Sequence, residues 1–142
     1  MEELSQGFIE KVFHFPVRVY YEDTDAGGIV YHTNYLKFYE RARTEMLSAL
    51  GIEQDILLKE RIGFVVRRVT VDNIAPAQFN ARLQVKTEIT ELKKVSVTFN
   101  QSVFDQGKEI NRAEFIIASI NLDTFRPVRL PENIIEEFKR VS

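Results

Sequence analysis

The chain has 142 residues, and its hydrophobic and charged fractions, 44% and 28%, are ordinary for a globular protein. This length is typical of one domain, so we expect residues 1–142 to form a single domain with its own core. The absence of cysteine and a net charge of −2 exclude disulfides, cysteine-bound zinc and a general attraction to nucleic acid. The apolar runs are too short to span a bilayer and residues 1–5 lack a secretory pattern, so we expect a cytoplasmic location.

The first predicted element is a strand over residues 13–21, because apolar residues occupy every second position there. Pro16 lies on the other face of this strand. Since proline cannot donate a hydrogen bond to a neighbouring strand, we expect an edge strand or an irregular start.

The second predicted element is a helix of about four turns over residues 35–50, where apolar residues recur at spacings of three and four. Thr33 or Asn34 can cap its start, and Gly51 suits the position just after its end. A shorter helical segment is predicted within residues 53–60.

Four strand-like segments follow, and Pro131 then opens a short terminal helix. The strands are predicted at residues 64–71, 83–90, 95–103 and 113–122. Their short connections require antiparallel pairing, because a parallel crossover needs about a dozen residues. The last strand is apolar on both faces, so we expect the long helix on one face and a second subunit on the other. This order predicts an α+β fold, with an antiparallel sheet of five or six strands wrapped around one long helix.

The densest polar cluster, residues 22–34, lies between the first strand and the long helix, and it has four interpretations. A calcium loop fits poorly because Asn34 stands where an EF-hand needs glutamate. An Asp-x-Asp phosphatase is disfavoured because such sites lie on parallel sheets with alternating helices. A solvated turn accounts for Glu22 or Asp23 alone, but it does not require two adjacent glycines.

The fourth interpretation is a site that cleaves thioesters. The loop ends at the start of the helix, where amides from Tyr31 to Asn34 lack intrahelical partners and can bind a carbonyl oxygen as it gains charge. Gly27 and Gly28 let a substrate approach the backbone, so Gly28 and Tyr31 are expected to contact it. Asp25 is placed to attack the carbonyl carbon or to activate water.

The same residues resemble a known family. The likeness is carried by the strings YYEDTDAGGIVYH at residues 20–32, NYL at 34–36 and ERARTE at 40–45. They closely resemble the YbgC-type branch of the 4-hydroxybenzoyl-CoA thioesterase family, and the likeness covers nearly the whole chain. It implies a hotdog fold, one thioesterase domain over residues 1–142, and dimers commonly paired into homotetramers with active sites at subunit interfaces.

The resemblance also implies roles for individual residues. Asp25 matches the catalytic carboxylate, and the amide of His32 with its neighbours matches the helix end that polarises the thioester carbonyl. The His32 ring is expected to orient substrate or water. Lys93, Lys94 and Arg126 match basic residues that meet the phosphates of CoA, although a solvated turn is the simpler explanation for the two lysines.

Two charged groups elsewhere have open roles. Glu40 lies two turns into the helix, where pairing with Arg43 or Thr44 is one expectation and holding a water at the site is the other. If the strand that contains Arg67 and Arg68 is regular, these neighbours point to opposite faces of the sheet, and one of them needs a partner.

The sequence therefore predicts an acyl-CoA thioesterase that releases a free acid and CoA, as a homodimer or homotetramer. No cofactor is expected, and with His14 and His32 as the only histidines no metal site is predicted. The alternative is a partner of acyl-carrier protein, or of envelope and lipid metabolism, whose hydrolysis is incidental. Phe64, Val66 and Tyr35 are candidates for the lining of the acyl pocket, with an ordinary core position as the alternative for each.

Overall fold

The chain folds into a six-stranded antiparallel sheet and three helices in the computed structural model, which describes residues 5–142. Residues 1–4, over which no secretory pattern is expected, lie outside the described residues. The strands are β1 (Gly7–Ile9), β2 (Val12–Arg18), β3 (Ile62–Asn73), β4 (Arg82–Leu92), β5 (Ser96–Asp105) and β6 (Lys108–Asn121). The helices are α1 (Asn34–Ala49), α2 (Gln54–Lys59) and α3 (Glu132–Arg140). The strand order is β1-β2-β4-β5-β6-β3, so the predicted antiparallel α+β architecture is confirmed, with six strands.

Strand β2 is shorter than predicted, because residues 21–23 form a single 3₁₀ turn instead of extending it. The sequence pattern also missed β1, which is only three residues long and pairs with the first residues of β2, ending at the Gly7–His14 pair. Pro16 lies beyond this pairing, on a stretch of β2 that β1 does not cover. At Pro16 strand β2 therefore pairs with β4 alone, which is the edge position expected for proline.

Helix α1 begins and ends one residue before its predicted boundaries. Its buried face consists of Asn34, Tyr35, Phe38, Tyr39, Ala42, Met46 and Leu47. Gly51 follows the helix with a φ of 79°, a conformation that glycine adopts without strain. The expected side-chain cap is wrong, because Thr33 occupies the N-cap position without a side-chain hydrogen bond and Asn34 is the first helical residue.

A β-bulge interrupts β3 at Arg67. The pairing with β6 passes directly from Val66–Ile117 to Arg68–Ile116, so Arg67 has no partner of its own. The strand is therefore irregular at the point where the expectation of one arginine on each face required a regular one, and both arginines are exposed.

The sheet has two ends, which separate the functional candidates. At one end of the sheet β2 ends, β4 begins, and a turn connects β5 to β6. We call it the loop end, because the loop after β2 lies there. β4 turns into β5, β6 ends and β3 begins at the opposite end, called the far end. The ten residues of β5 separate the two ends by about 30 Å at roughly 3.3 Å per residue. Among residues 5–142, no helix is long and apolar enough to cross a membrane.

Candidate active site

The loop between β2 and α1 folds back on itself as a small hairpin. A bridge joins Thr24 to Val30, and the Asp25 amide donates to the Ile29 carbonyl at 2.9 Å. Residues 26–28 form the tip of this hairpin. Asp25 is thereby held in an ordered turn that leads directly into the start of α1.

Hydrogen bonds from the segment before β4 fix the hairpin to the sheet. The Phe79 amide donates to the Gly28 carbonyl at 3.0 Å, and the Val30 amide donates to the Ala77 carbonyl at 2.8 Å. Gly28 has a φ of 79°, which explains why glycine is needed at this point of the tip. The expected freedom of the backbone at Gly28 is therefore used to turn the loop.

The Asp25 side chain is exposed in the single chain, and the loop itself sets its orientation. Its Oδ1 accepts a hydrogen bond from the Gly27 amide at 2.8 Å, which leaves Oδ2 without a partner in the described part of the chain. A Cβ atom on Gly27 would lie 3.3 Å from Asp25 Oδ1. Glycine at this position therefore leaves room for the carboxylate.

Asp23 has a structural role that the sequence patterns did not reveal. It is buried, with 6% of its surface exposed, so the interpretation as a solvated turn residue is wrong for Asp23. Its Oδ2 accepts from the Tyr20 amide at 2.8 Å and its Oδ1 accepts from Asn34 Nδ2 at 2.6 Å. Asp23 thus ties the loop to the first residue of α1, whereas Glu22 is exposed as a solvated turn residue would be.

Of the four backbone amides from Tyr31 to Asn34, two have no acceptor among residues 5–142. The Tyr31 amide donates to the Asp23 carbonyl at 3.0 Å, and the Asn34 amide donates to the Tyr31 carbonyl at 2.8 Å. The amides of His32 and Thr33 make no hydrogen bond with residues 5–142. The set of oxyanion donors expected from Tyr31 to Asn34 therefore narrows to His32 and Thr33, at the positive end of a 16-residue helix.

The side chains of His32 and Tyr31 lie beside these amides. Their ring centroids are 4.6 Å apart, and both side chains are exposed in the single chain. The imidazole makes no hydrogen bond to another described residue. His14 lies elsewhere, half-buried on β2, where burial lowers the pKa of its imidazole.

The three expected CoA-binding cations lie at the far end of the sheet. Lys93 and Lys94 occupy the turn between β4 and β5, and Arg126 lies in the segment after β6. Lys93 Nζ is 3.5 Å from the carboxylate of Glu91, and both side chains are exposed. A single chain therefore does not bring these cations together with Asp25, which lies at the loop end.

A cleft of about 100 Å³, called the helix cleft, lies between α1 and the inner face of the sheet. Its lining includes Glu40, Arg43, Thr44, Phe64, Val66 and Phe138. Two of the candidates for the lining of the acyl pocket, Phe64 and Val66, thus line this cleft. Tyr35 is instead part of the core, 3% exposed, and its hydroxyl accepts a hydrogen bond from the Ala77 amide at 3.1 Å. The expected ion pair between Glu40 and Arg43 is not formed within 4.0 Å in the described structure.

Between residues 5 and 142, no group of three or more histidine, aspartate or glutamate side chains is arranged to hold a metal ion. The loop itself presents a carboxylate, an imidazole and two backbone amides.

Comparison with known proteins finds relatives over nearly the whole chain. Residues 19–138 match the family model of the thioesterase-like superfamily. The chain is 45% identical over 130 residues to the acyl-CoA thioester hydrolase YbgC of Escherichia coli O6:H1, covering 91% of this chain and 97% of that protein. It is 40% identical over 135 residues to the acyl-CoA thioesterase YbgC of Haemophilus influenzae, covering 94% of this chain and 99% of that protein.

Solved structures agree with this comparison. A probable thioesterase from Bartonella henselae is 35% identical and superposes with a TM-score of 0.79, covering 84% of this chain and 99% of that chain. The fold of the chain is accordingly the hotdog fold that the sequence resemblance implied.

Proposed function

The chain belongs to the thioesterase-like superfamily, and we propose that it hydrolyses acyl-CoA thioesters to a free acid and CoA. The observation that carries this proposal is the position of the Asp25 carboxylate. Gly27 orients it, and the loop that holds it ends at two unpartnered amides, those of His32 and Thr33. A carboxylate beside an oxyanion site suffices for a thioester, which is more reactive than an amide.

In the proposed reaction, the thioester carbonyl oxygen accepts hydrogen bonds from the His32 and Thr33 amides. These donors stabilise the negative charge that develops on the oxygen, and one such donor typically contributes about 10²- to 10³-fold in rate. Asp25 either takes a proton from the attacking water or attacks the carbonyl carbon itself, forming an anhydride that water then hydrolyses. In both routes the carbon–sulfur bond breaks, CoA leaves as the thiolate, and the thiolate takes up a proton. The ring of His32 orients the substrate or the water.

A second copy of the chain completes the proposed site. Strand β3 is the last in the sheet order and leaves a 12-residue edge unpaired in the single chain. Val65, Val66 and Val69 on this strand are 39%, 50% and 38% exposed. Unpaired, apolar edges favour pairing with another strand, so two copies would pair through β3 around a two-fold axis. In such a dimer Lys93, Lys94 and Arg126 of one copy would serve the CoA phosphates bound at Asp25 of the other.

This arrangement predicts that defective subunits complement each other. Dimers made only of Asp25→Asn subunits contain impaired sites, and so do dimers made only of Lys93→Ala/Lys94→Ala subunits. A mixed dimer contains one site with both an intact Asp25 and intact lysines, so unfolding and refolding the mixture should restore activity well above the sum of its parts. If the mixture shows only the summed activities, the lysines do not serve a site in the other subunit.

The close approach of Gly27 to the Asp25 carboxylate leads to a second prediction. Gly27→Ala should lower kcat by about 10-fold or more, because the new Cβ crowds Asp25 Oδ1 and small displacements of a reacting group are costly. Gly28→Ala should act differently, lowering stability by about 1–2 kcal/mol through its positive φ, with open space around the new Cβ. Steady-state kinetics and thermal unfolding of both variants separate the two effects. An unchanged kcat for Gly27→Ala would show that the carboxylate position does not matter.

The function itself is tested by measuring CoA release from short, long and aromatic acyl-CoAs, with binding to acyl-carrier protein measured in parallel. The proposal requires saturable hydrolysis of at least one acyl-CoA class. Tight binding to the carrier protein with negligible turnover of every acyl-CoA would replace it with the interaction function.

A further inference from the structure

Arg43 is a charged side chain in the helix cleft that the proposed reaction does not use. It lies on α1, three residues after Glu40, and it is half-buried. Its guanidinium carbon is 4.1 Å from the ring centroid of Phe115, so one face of the guanidinium is covered by an aromatic ring.

A buried amide holds this guanidinium in place. Arg43 Nη1 donates to Gln101 Oε1 at 2.8 Å, and Gln101 is only 1% exposed. Gln101 Nε2 in turn donates to the Tyr39 carbonyl at 3.0 Å and to Thr87 Oγ1 at 2.9 Å. Every hydrogen-bonding group of the Gln101 side chain is thus occupied, which fixes its orientation and that of Arg43.

Most of the donors of Arg43 have no acceptor. A guanidinium has five N–H groups, and Arg43 makes one side-chain hydrogen bond with residues 5–142. No carboxylate of the described chain lies within 4.0 Å of it. Burial lowers the pKa of Arg43 to about 10, although the negative charge of Glu40 acts to raise it. The side chain therefore remains positively charged at neutral pH.

The helix cleft lies on the same side of α1 as the two free amides. Spacings of three and four residues lead from Thr33 through Lys37 and Glu40 to Thr44, so these positions share one face of the helix. Thr33 and Glu40 are seven residues apart, which is about 10 Å along the axis at about 1.5 Å per residue. An acyl group whose carbonyl lies at the amides can follow this face into the cleft.

We propose that Arg43 is a specificity-determining residue that binds an uncharged oxygen, a hydroxyl or a carbonyl, at the distal end of the acyl group. The proposal rests on the proposed function, because the amides of His32 and Thr33 must hold the thioester carbonyl for the distal end to reach the cleft. The fixed guanidinium supplies donors, and Phe64 and Val66 supply apolar walls for the rest of the chain.

Glu40 decides the charge of the preferred group. Its carboxylate lines the same cleft, so a second carboxylate at the distal end of the substrate would be repelled. A hydroxyl can accept from Arg43 and donate to Glu40. We therefore expect the enzyme to prefer an acyl chain with a distal hydroxyl or carbonyl over an unsubstituted chain and over a dicarboxylic chain.

The test compares ω-hydroxyacyl-CoAs from hexanoyl to decanoyl with their unsubstituted counterparts and with the matching dicarboxylic mono-CoA esters. For the wild-type enzyme we expect kcat/KM to favour the hydroxylated member by about tenfold at the best length. Arg43→Met should reduce this ratio to about one. Arg43→Lys, which retains a donor for Gln101, should give an intermediate ratio. Arg41→Met removes an exposed charge from the same helix outside the cleft and should leave the ratio unchanged.

The ratio separates substrate recognition from the stability of the fold, because damage to the fold lowers kcat/KM for both substrates of a pair together. A wild-type enzyme that hydrolyses unsubstituted chains equally well, or prefers the dicarboxylic ester, overturns the assignment of Arg43 and leaves the proposed function intact. A hydroxyl preference that survives Arg43→Met also overturns it. An enzyme that hydrolyses other acyl-CoAs but no member of this series also overturns the assignment of Arg43, whereas one that hydrolyses no acyl-CoA at all contradicts the proposed function.

Discussion

Asp25→Asn is expected to lower kcat for acyl-CoA hydrolysis by about 10²- to 10⁴-fold, the usual contribution of a general base, while KM changes little. The asparagine side chain has nearly the same shape, and its oxygen can still accept the hydrogen bond from the Gly27 amide. The loop should therefore keep its conformation, and the loss should be confined to the chemical step.

Glu22→Gln is the matched control for this variant. Glu22 lies three residues away in the same loop and is exposed, so neutralising it changes the local charge by the same amount without altering the proposed site. We expect its kcat to stay within about twofold of wild type, since exposed charges contribute little. The kcat values of both variants are checked by measuring the rate of CoA release over a range of enzyme concentrations. Asp25→Asn with nearly full activity would remove Asp25 from the mechanism.

Asp23→Ala should produce the largest loss of stability among the loop variants, about 3 kcal/mol in the free energy of unfolding. Hydrogen bonds to a charged group contribute about 1.5–3 kcal/mol each, and the buried Asp23 carboxylate accepts two, from the Tyr20 amide and from Asn34. Because these bonds join the loop to the first residue of α1, we also expect kcat to fall.

Urea unfolding of Asp23→Ala, compared with Glu22→Ala in the same 3₁₀ turn, measures this effect. Glu22→Ala should change the free energy of unfolding by no more than about 0.5 kcal/mol, as is usual for exposed positions. Equal stabilities for the two variants would mean that the hydrogen bonds of Asp23 do not hold the loop. A stable Asp23→Ala variant with low kcat would instead assign Asp23 to the chemistry.

The two predictions assign different tasks to two aspartates that are only two residues apart. Asp23 is buried and fully used in holding the loop, whereas Asp25 is exposed in the single chain and keeps one oxygen unpartnered among the described residues. An exposed carboxylate is compatible with the proposed reaction only if substrate and a second subunit cover it. The hybrid-dimer experiment is therefore as important for the proposal as the substitution of Asp25.

Local patterns in the sequence were sufficient for the three helices, for every strand except the three-residue β1, and for the position of the candidate site. The spacing of apolar residues predicted α1 and the four later strands, because that spacing depends only on the geometry of each element. The turn between β5 and β6 is also determined locally, since Gln106 and Gly107 have positive φ values of 50° and 80° there. The loop with Asp25 was recognised because its glycines and its place before a helix are also local features.

The tertiary structure alone decided which side chains meet. It placed Lys93, Lys94 and Arg126 at the end of the sheet opposite to Asp25, because strand pairing determines which turns share an end. It also joined the buried Asp23 to Asn34, eleven positions further along the chain, by a hydrogen bond. In the same way it joined Arg43 to Gln101, 58 positions away. Contacts between residues so distant in sequence depend on how whole elements pack, and no local periodicity records that packing.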